Sequence, residues 1–217
     1  MTVQRSSVSR TTSLTGAAVF GALAAVIAFL IQIPYPVPGF TFLQLDLAEI
    51  VDVLAFLLFG PAVGLLTTLI HYLVLNFLPT ASPIFGPLLK LFGVTSMLLG
   101  MWLGYGAYSR ILKRTGGVIT GYGIMLGTGA VLRAILLTPI NYVFLIFVFA
   151  PNTAFSTSFL SFYFAGLAIY NVLQTVLATV VPFVVVKALR KAAPNLEVRT
   201  WVAKMKPSRP AQTQKTP

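Results

Sequence analysis

The stretch Leu45–Pro79, LDLAEIVDVLAFLLFGPAVGLLTTLIHYLVLNFLP, decides the reading of the chain. It holds two apolar segments broken at Phe59-Gly60-Pro61, where glycine ends one helix and proline opens the next. Three of the protein's 4 acidic residues, Asp46, Glu49 and Asp52, stand at the start of the first segment. Spacings of three keep all three carboxylates on one broad helical face. A carboxylate on an apolar segment is costly in lipid, so each must meet water, a protein partner or a ligand.

Outward from that stretch, the composition sets the class. Hydrophobic residues make up 57% and charged residues 9%, against about 25% charged in soluble domains. Several apolar runs reach the roughly 20 residues that cross a bilayer as a helix. The chain reads as an integral membrane protein, with no segment long enough for an ATPase, kinase or nucleic-acid-binding domain. The net charge of +11 does not point to nucleic acid, because all the basic residues but Lys90 and Arg133 flank apolar segments. They cluster at Arg5 and Arg10, at Arg110, Lys113 and Arg114, and from Lys187 to Lys215, as expected of cytoplasmic loops. Without cysteine there is no disulfide, thiolate metal site or cysteine nucleophile.

Hydropathy and breakers predict an all-α bundle of six transmembrane helices, with a short second helix, over residues 14–190. A polar tail, 1–13, precedes it, and a basic, disordered tail, 191–217, follows. The expected helices run Leu14–Ile33, Asp46–Phe59, Pro61–Leu78, Ile84–Tyr108, Val118–Phe149 and Phe162–Val186. The first apolar run follows two arginines like a signal peptide but lacks a convincing cleavage site, so it reads as a retained helix. Prolines 34, 36 and 38 with Gly39 exclude a helix over 34–44. Pro139 is expected to kink the fifth helix. In the first helix Ala17, Gly21 and Ala25 recur every four residues, as do Ala18 and Ala22. Such spacing lets another helix approach closely, whether inside the bundle or from a partner. An even number of spans puts both termini on one side. The loops 34–44, 79–83 and 150–161 carry no Lys or Arg, so they are expected outside and both termini in the cytoplasm.

At about 1.5 Å per helical residue, the polar residues converge in the outer half of the bilayer. Asp46, Asn76, Lys90, Asn141, Asn171 and Gln174 all fall there, below loops carrying Phe40 and Phe42. Aromatic walls with a few placed hydrogen-bonding groups are how small-molecule sites are built. Structural roles compete: Lys90 and Arg133 could each neutralise a carboxylate of the second helix, and each asparagine could be interhelical glue. His71, the single histidine, reads as a bundle-facing hydrogen-bonding group and not a metal ligand.

These residues resemble a family. Six helices, a small-residue first helix and an outward-facing polar site look like the substrate-binding S-components of energy-coupling-factor vitamin transporters, above all the riboflavin-specific members. Their aspartate-containing segment is matched by Leu43-Gln44-Leu45-Asp46-Leu47-Ala48-Glu49-Ile50, and their F-G-P turn by Phe59-Gly60-Pro61. Their N-L-I/L-H-Y is matched by Leu69-Ile70-His71-Tyr72, with Thr68 in the place of asparagine. Asn141-Tyr142-Val143 through Pro151 follows their fifth-helix pattern, and Tyr170-Asn171-Val172-Leu173-Gln174 their sixth. Gln174 replaces the family's lysine, and Gly86-Pro87 replaces G-E.

The resemblance implies a non-enzymatic subunit of a prokaryotic plasma membrane. It would bind a vitamin, riboflavin above all, from outside, with no cofactor or metal of its own. It would dock on a transmembrane coupling protein carrying two ATPases, through the stripe Ala18, Gly21, Ala22 and Ala25. Its ligand contacts would be Phe40, Phe42, Asp46, Asn76, Lys90, Asn141, Asn171 and Gln174. Two alternatives remain: another vitamin on the same architecture, and a membrane enzyme using Asp46, Glu49 and Asp52 with a divalent metal. The enzyme needs a second acidic or histidine cluster, which the sequence lacks.

Overall fold

The structure, a computed structural model, describes residues 10–37, 40, 43–78, 84–111, 117–149 and 157–192. Phe42, the loop 79–83, residues 1–9 of the first tail and residues 193–217 of the second lie outside the described residues. The elements in chain order are α1 (Arg10–Leu30), β1 (Ile33–Pro34), β2 (Gln44–Leu45), α2 (Ala48–Phe59), α3 (Pro61–Leu75), α4 (Phe85–Ile111), α5 (Val118–Phe144) and α6 (Thr157–Ala192). Four of the helices, α1, α4, α5 and α6, are long and apolar enough to cross a membrane. The result is an all-α membrane bundle of six helices, as the hydropathy predicted.

The short α2 is the centre of the bundle. Eight of its twelve residues are buried, the acids Glu49 and Asp52 among them. It packs against α1, α3, α4 and α6. Its Val53, Phe56 and Leu57 meet Val94, Met97, Leu98 and Met101 of α4, Met125 of α5 and Ala178 of α6 in the main apolar core. A helix enclosed by protein need not match the bilayer thickness. It ends at Gly60, whose φ of 106° lies in the region that favours glycine. Pro61 then opens α3, and Gly64 lies so close to Phe56 that an added β-carbon would stand 2.6 Å from the Phe56 Cβ.

The remaining helices pair around this centre. α4 lies along α5, α1 against α3, and α6 against α5. Gly100 is what lets α4 approach α5: a β-carbon there would sit 2.5 Å from the Thr128 carbonyl oxygen. The Thr128 hydroxyl donates back to the Gly100 carbonyl at 2.8 Å. Tyr122 of α5 donates to the Thr179 carbonyl of α6 at 2.6 Å and stacks on Phe183. α5 continues through Pro139 and opens into a π-helical turn, Leu145–Phe149.

The loop between α1 and α2 is tied down by a two-residue antiparallel ladder, Ile33 opposite Leu45 and Pro34 opposite Gln44. Helix ends differ from the hydropathy limits. α1 starts at Arg10 and not Leu14, and α6 runs from Thr157 to Ala192 and not from Phe162 to Val186. Hydropathy reports where a helix leaves lipid, whereas backbone hydrogen bonding carries the helix beyond that point.

Candidate functional site

Each α2-side acid meets its own base, and each base comes from a different helix. Asp46, just before α2, has its Oδ2 2.8 Å from Lys90 Nζ on α4. Glu49 accepts two guanidinium nitrogens of Arg133 on α5, Nη2 at 2.9 Å and Nη1 to the other oxygen. Asp52 Oδ2 lies 3.0 Å from His71 Nδ1 on α3. This is how three carboxylates are tolerated on a buried helix: burial of an unpaired charge costs several kcal/mol, about 3–5 when one partner of a pair is removed. Among the described residues, no three His, Cys, Asp or Glu side chains gather as a metal-binding group. The carboxylates aim at separate bases, so the donor set that a metal enzyme would need does not assemble from them.

Above this ladder lies a cavity of about 210 Å³ to which all six helices contribute, through Ala28, Glu49, Leu75, Lys90, Asn141 and Tyr170 in chain order. Gly86, Pro87, Leu137 and Phe144 add apolar wall. At the rim Gln44 donates to Gln32 across 3.4 Å. The cavity mixes apolar wall with amide and charged groups, Lys90 of α4 and Arg133 and Asn141 of α5 among them, which is the usual build of a small-molecule site.

Of the residues expected in the site, Asp46, Lys90 and Asn141 line the cavity. The carboxamide of Asn141 makes no hydrogen bond to a described residue and is open to a ligand. Asn171 and Gln174 are at the expected depth but fully buried behind the wall. Asn171 donates to Thr138 at 3.1 Å and accepts from Arg133 Nε at 3.5 Å. Gln174 holds the backbone of Asp46 at two points, accepting its N–H at 3.1 Å and donating to its carbonyl at 2.7 Å. Asn76 caps α3 by donating to the Tyr72 carbonyl at 2.8 Å. Phe40 is fully buried, packed on Gly166, with Tyr163 at 4.8 Å between ring centroids. It anchors the loop to α6 and does not line the cavity. Phe42 lies outside the described residues.

Three uncharged polar wall residues were not singled out as ligand contacts by sequence: Gln32, Gln44 and Tyr170. Tyr170 donates to the Gln44 carbonyl at 2.6 Å. Together with Gln174 it fastens the β2–α2 junction to α6, which fixes where the Asp46 side chain emerges. Gln44 stands two residues before Asp46 and Tyr170 one before Asn171, which was the available signal. The stripe on α1 splits in two. Gly21 and Ala25 are buried, Gly21 against Ile70 of α3, while Ala18 and Ala22 are exposed.

No family model and no curated protein matches the sequence. Among solved structures, the S component of a bacterial ECF transporter superposes with a TM-score of 0.67 at 21% identity. The match covers 85% of this chain and 98% of the other. This chain has the S-component fold. What this chain leaves unmatched is a minority of its length.

Proposed function

We propose that this protein is the substrate-binding subunit of an ATP-driven vitamin uptake transporter in a prokaryotic plasma membrane. The observation that carries the reading is the cavity built by all six helices within an S-component fold. Its size, its apolar wall and the open Asn141 carboxamide suit a small, flat, polar-edged molecule. Asp46, Lys90 and Asn141 make the contacts, and Asn171, Gln174 and Tyr170 position them. The ligand enters from the side holding the β1–β2 ladder, which the charge pattern makes external. ATP is consumed by separate subunits, as the resemblance to energy-coupling-factor transporters implies. The exposed face of α1 around Ala18 and Ala22 meets a transmembrane coupling protein that carries two ATPases.

Riboflavin is the first ligand to try, on the strength of the short matches around Asp46, Phe59-Gly60-Pro61, Asn141 and Asn171. Another vitamin on the same architecture is favoured by one observation: Pro87, a departure from the riboflavin pattern, stands in the cavity wall. The absorption spectrum of the protein purified from riboflavin-fed cells separates them. A visible flavin band released on unfolding is the expected result. Colourless protein whose extracted ligand has the mass of a different vitamin would remove riboflavin and keep the transport reading. Protein that carries no small molecule and acquires none from a vitamin mixture would remove both.

A further inference from the structure

The cavity wall holds two acids and two bases, and both pairs are closed. Glu49 and Arg133 face each other through two nitrogens and two oxygens, and their side chains are 2% and 3% exposed. Asp46 and Lys90 form the other pair, but here the lysine side chain is 30% exposed while the aspartate is 4% exposed. Lys90 is therefore the one cation of the described wall that an incoming ligand can reach. Its charge is already balanced by the buried Asp46 carboxylate, whose one salt-bridge partner among the described residues is Lys90. A ligand carrying a phosphate or carboxylate would have to take Lys90 from Asp46 and leave that carboxylate buried and unpaired. A cationic ligand would face the same exchange with the roles reversed.

Resting on the vitamin-binding reading above, we propose that the cavity selects a ligand of zero net charge, and that Asp46 is the residue that enforces this by neutralising Lys90. For flavins, the free vitamin is accepted and its 5′-phosphate rejected.

Asp46→Asn isolates the charge. Asp46 Oδ1 accepts the Ala48 N–H at 2.9 Å at the start of α2, and asparagine keeps that acceptor. Gln174 holds the backbone of residue 46 and not its side chain. The substitution thus removes the counter-ion of Lys90 with the local backbone bonds intact. The experiment is calorimetric titration of the purified full-length protein with riboflavin and with riboflavin 5′-phosphate. In the wild type riboflavin should bind at least about 100-fold more tightly than its phosphate. Asp46→Asn should narrow that ratio by about ten-fold or more, through a gain in phosphate affinity. Lys90→Gln, which leaves the wall net negative, should widen it, and it decides the matter if Asp46→Asn does not fold. Equal binding of both ligands by the wild type, or a ratio unmoved by a folded variant, overturns the inference and leaves vitamin binding standing. A wild type that does not bind riboflavin overturns the inference and the flavin reading together.

Discussion

Arg133→Met should destabilise the folded bundle by about 3–5 kcal/mol, the cost of stripping one partner from a buried ion pair. Arg133 is 2% exposed and Glu49 2% exposed, so no water replaces the lost guanidinium. The substitution also takes a donor from Asn171, whose carboxamide links α6 to α5 through Thr138. Methionine fills much of the volume and can pack on Met97, already 3.9 Å from the Arg133 Nη1. The loss is therefore electrostatic, and the cure is to neutralise the orphaned acid. Denaturant titration of the detergent-solubilised protein checks both halves. The single variant should fall by that amount, and Glu49→Gln combined with Arg133→Met should recover a substantial part. A single variant as stable as the wild type would mean that the pair is solvated and that the ladder does not hold α2.

The two faces of α1 should fail in opposite ways. Gly21→Val places a β-carbon 2.7 Å from Ile70 Cγ2 and 3.0 Å from the Thr67 carbonyl oxygen, both on α3. Backbone cannot yield there without parting the helices, so this variant should lose the folded state. Ala22 is exposed, and a large side chain there meets nothing within the bundle. Ala22→Trp should keep the fold and ligand binding but abolish vitamin uptake by whole cells, because it blocks close approach of a partner helix. Uptake assays beside binding to the isolated protein separate the outcomes. If binding and uptake fell together for Ala22→Trp, the outer face of α1 would not be a docking surface.

The helices were legible because burial in lipid forces long apolar runs, and the Phe59-Gly60-Pro61 break is written in residues with strict backbone preferences. The β1–β2 ladder was not legible, since two-residue pairing across a loop leaves no periodic trace. Depth along each helix could be counted, and it brought Asp46, Lys90 and Asn141 to one level. The direction around each helix could not. Tyr170 faces the cavity, while Asn171, one residue on, points to α5, and Gln174 reaches the backbone of Asp46. The same limit applies to small residues. The spacing of Gly100 and Gly104 is as plain in the sequence as that of α1, but only packing reveals that it receives α5 while Ala18 and Ala22 stay open. Lys90 and Arg133, weighed as structural counter-ions from their positions alone, do pair with Asp46 and Glu49.

Calorimetric titration of the purified protein with riboflavin, wild type against Asn141→Leu, tests the account most directly. Asn141 is the one wall asparagine whose carboxamide is open, and leaving a buried ligand group unpaired costs about 1–3 kcal/mol. The account predicts wild-type binding at micromolar riboflavin or below, weakened about ten-fold to a hundred-fold by Asn141→Leu at an unchanged unfolding midpoint. Equal affinity in a folded variant would contradict it by putting the ligand outside this cavity.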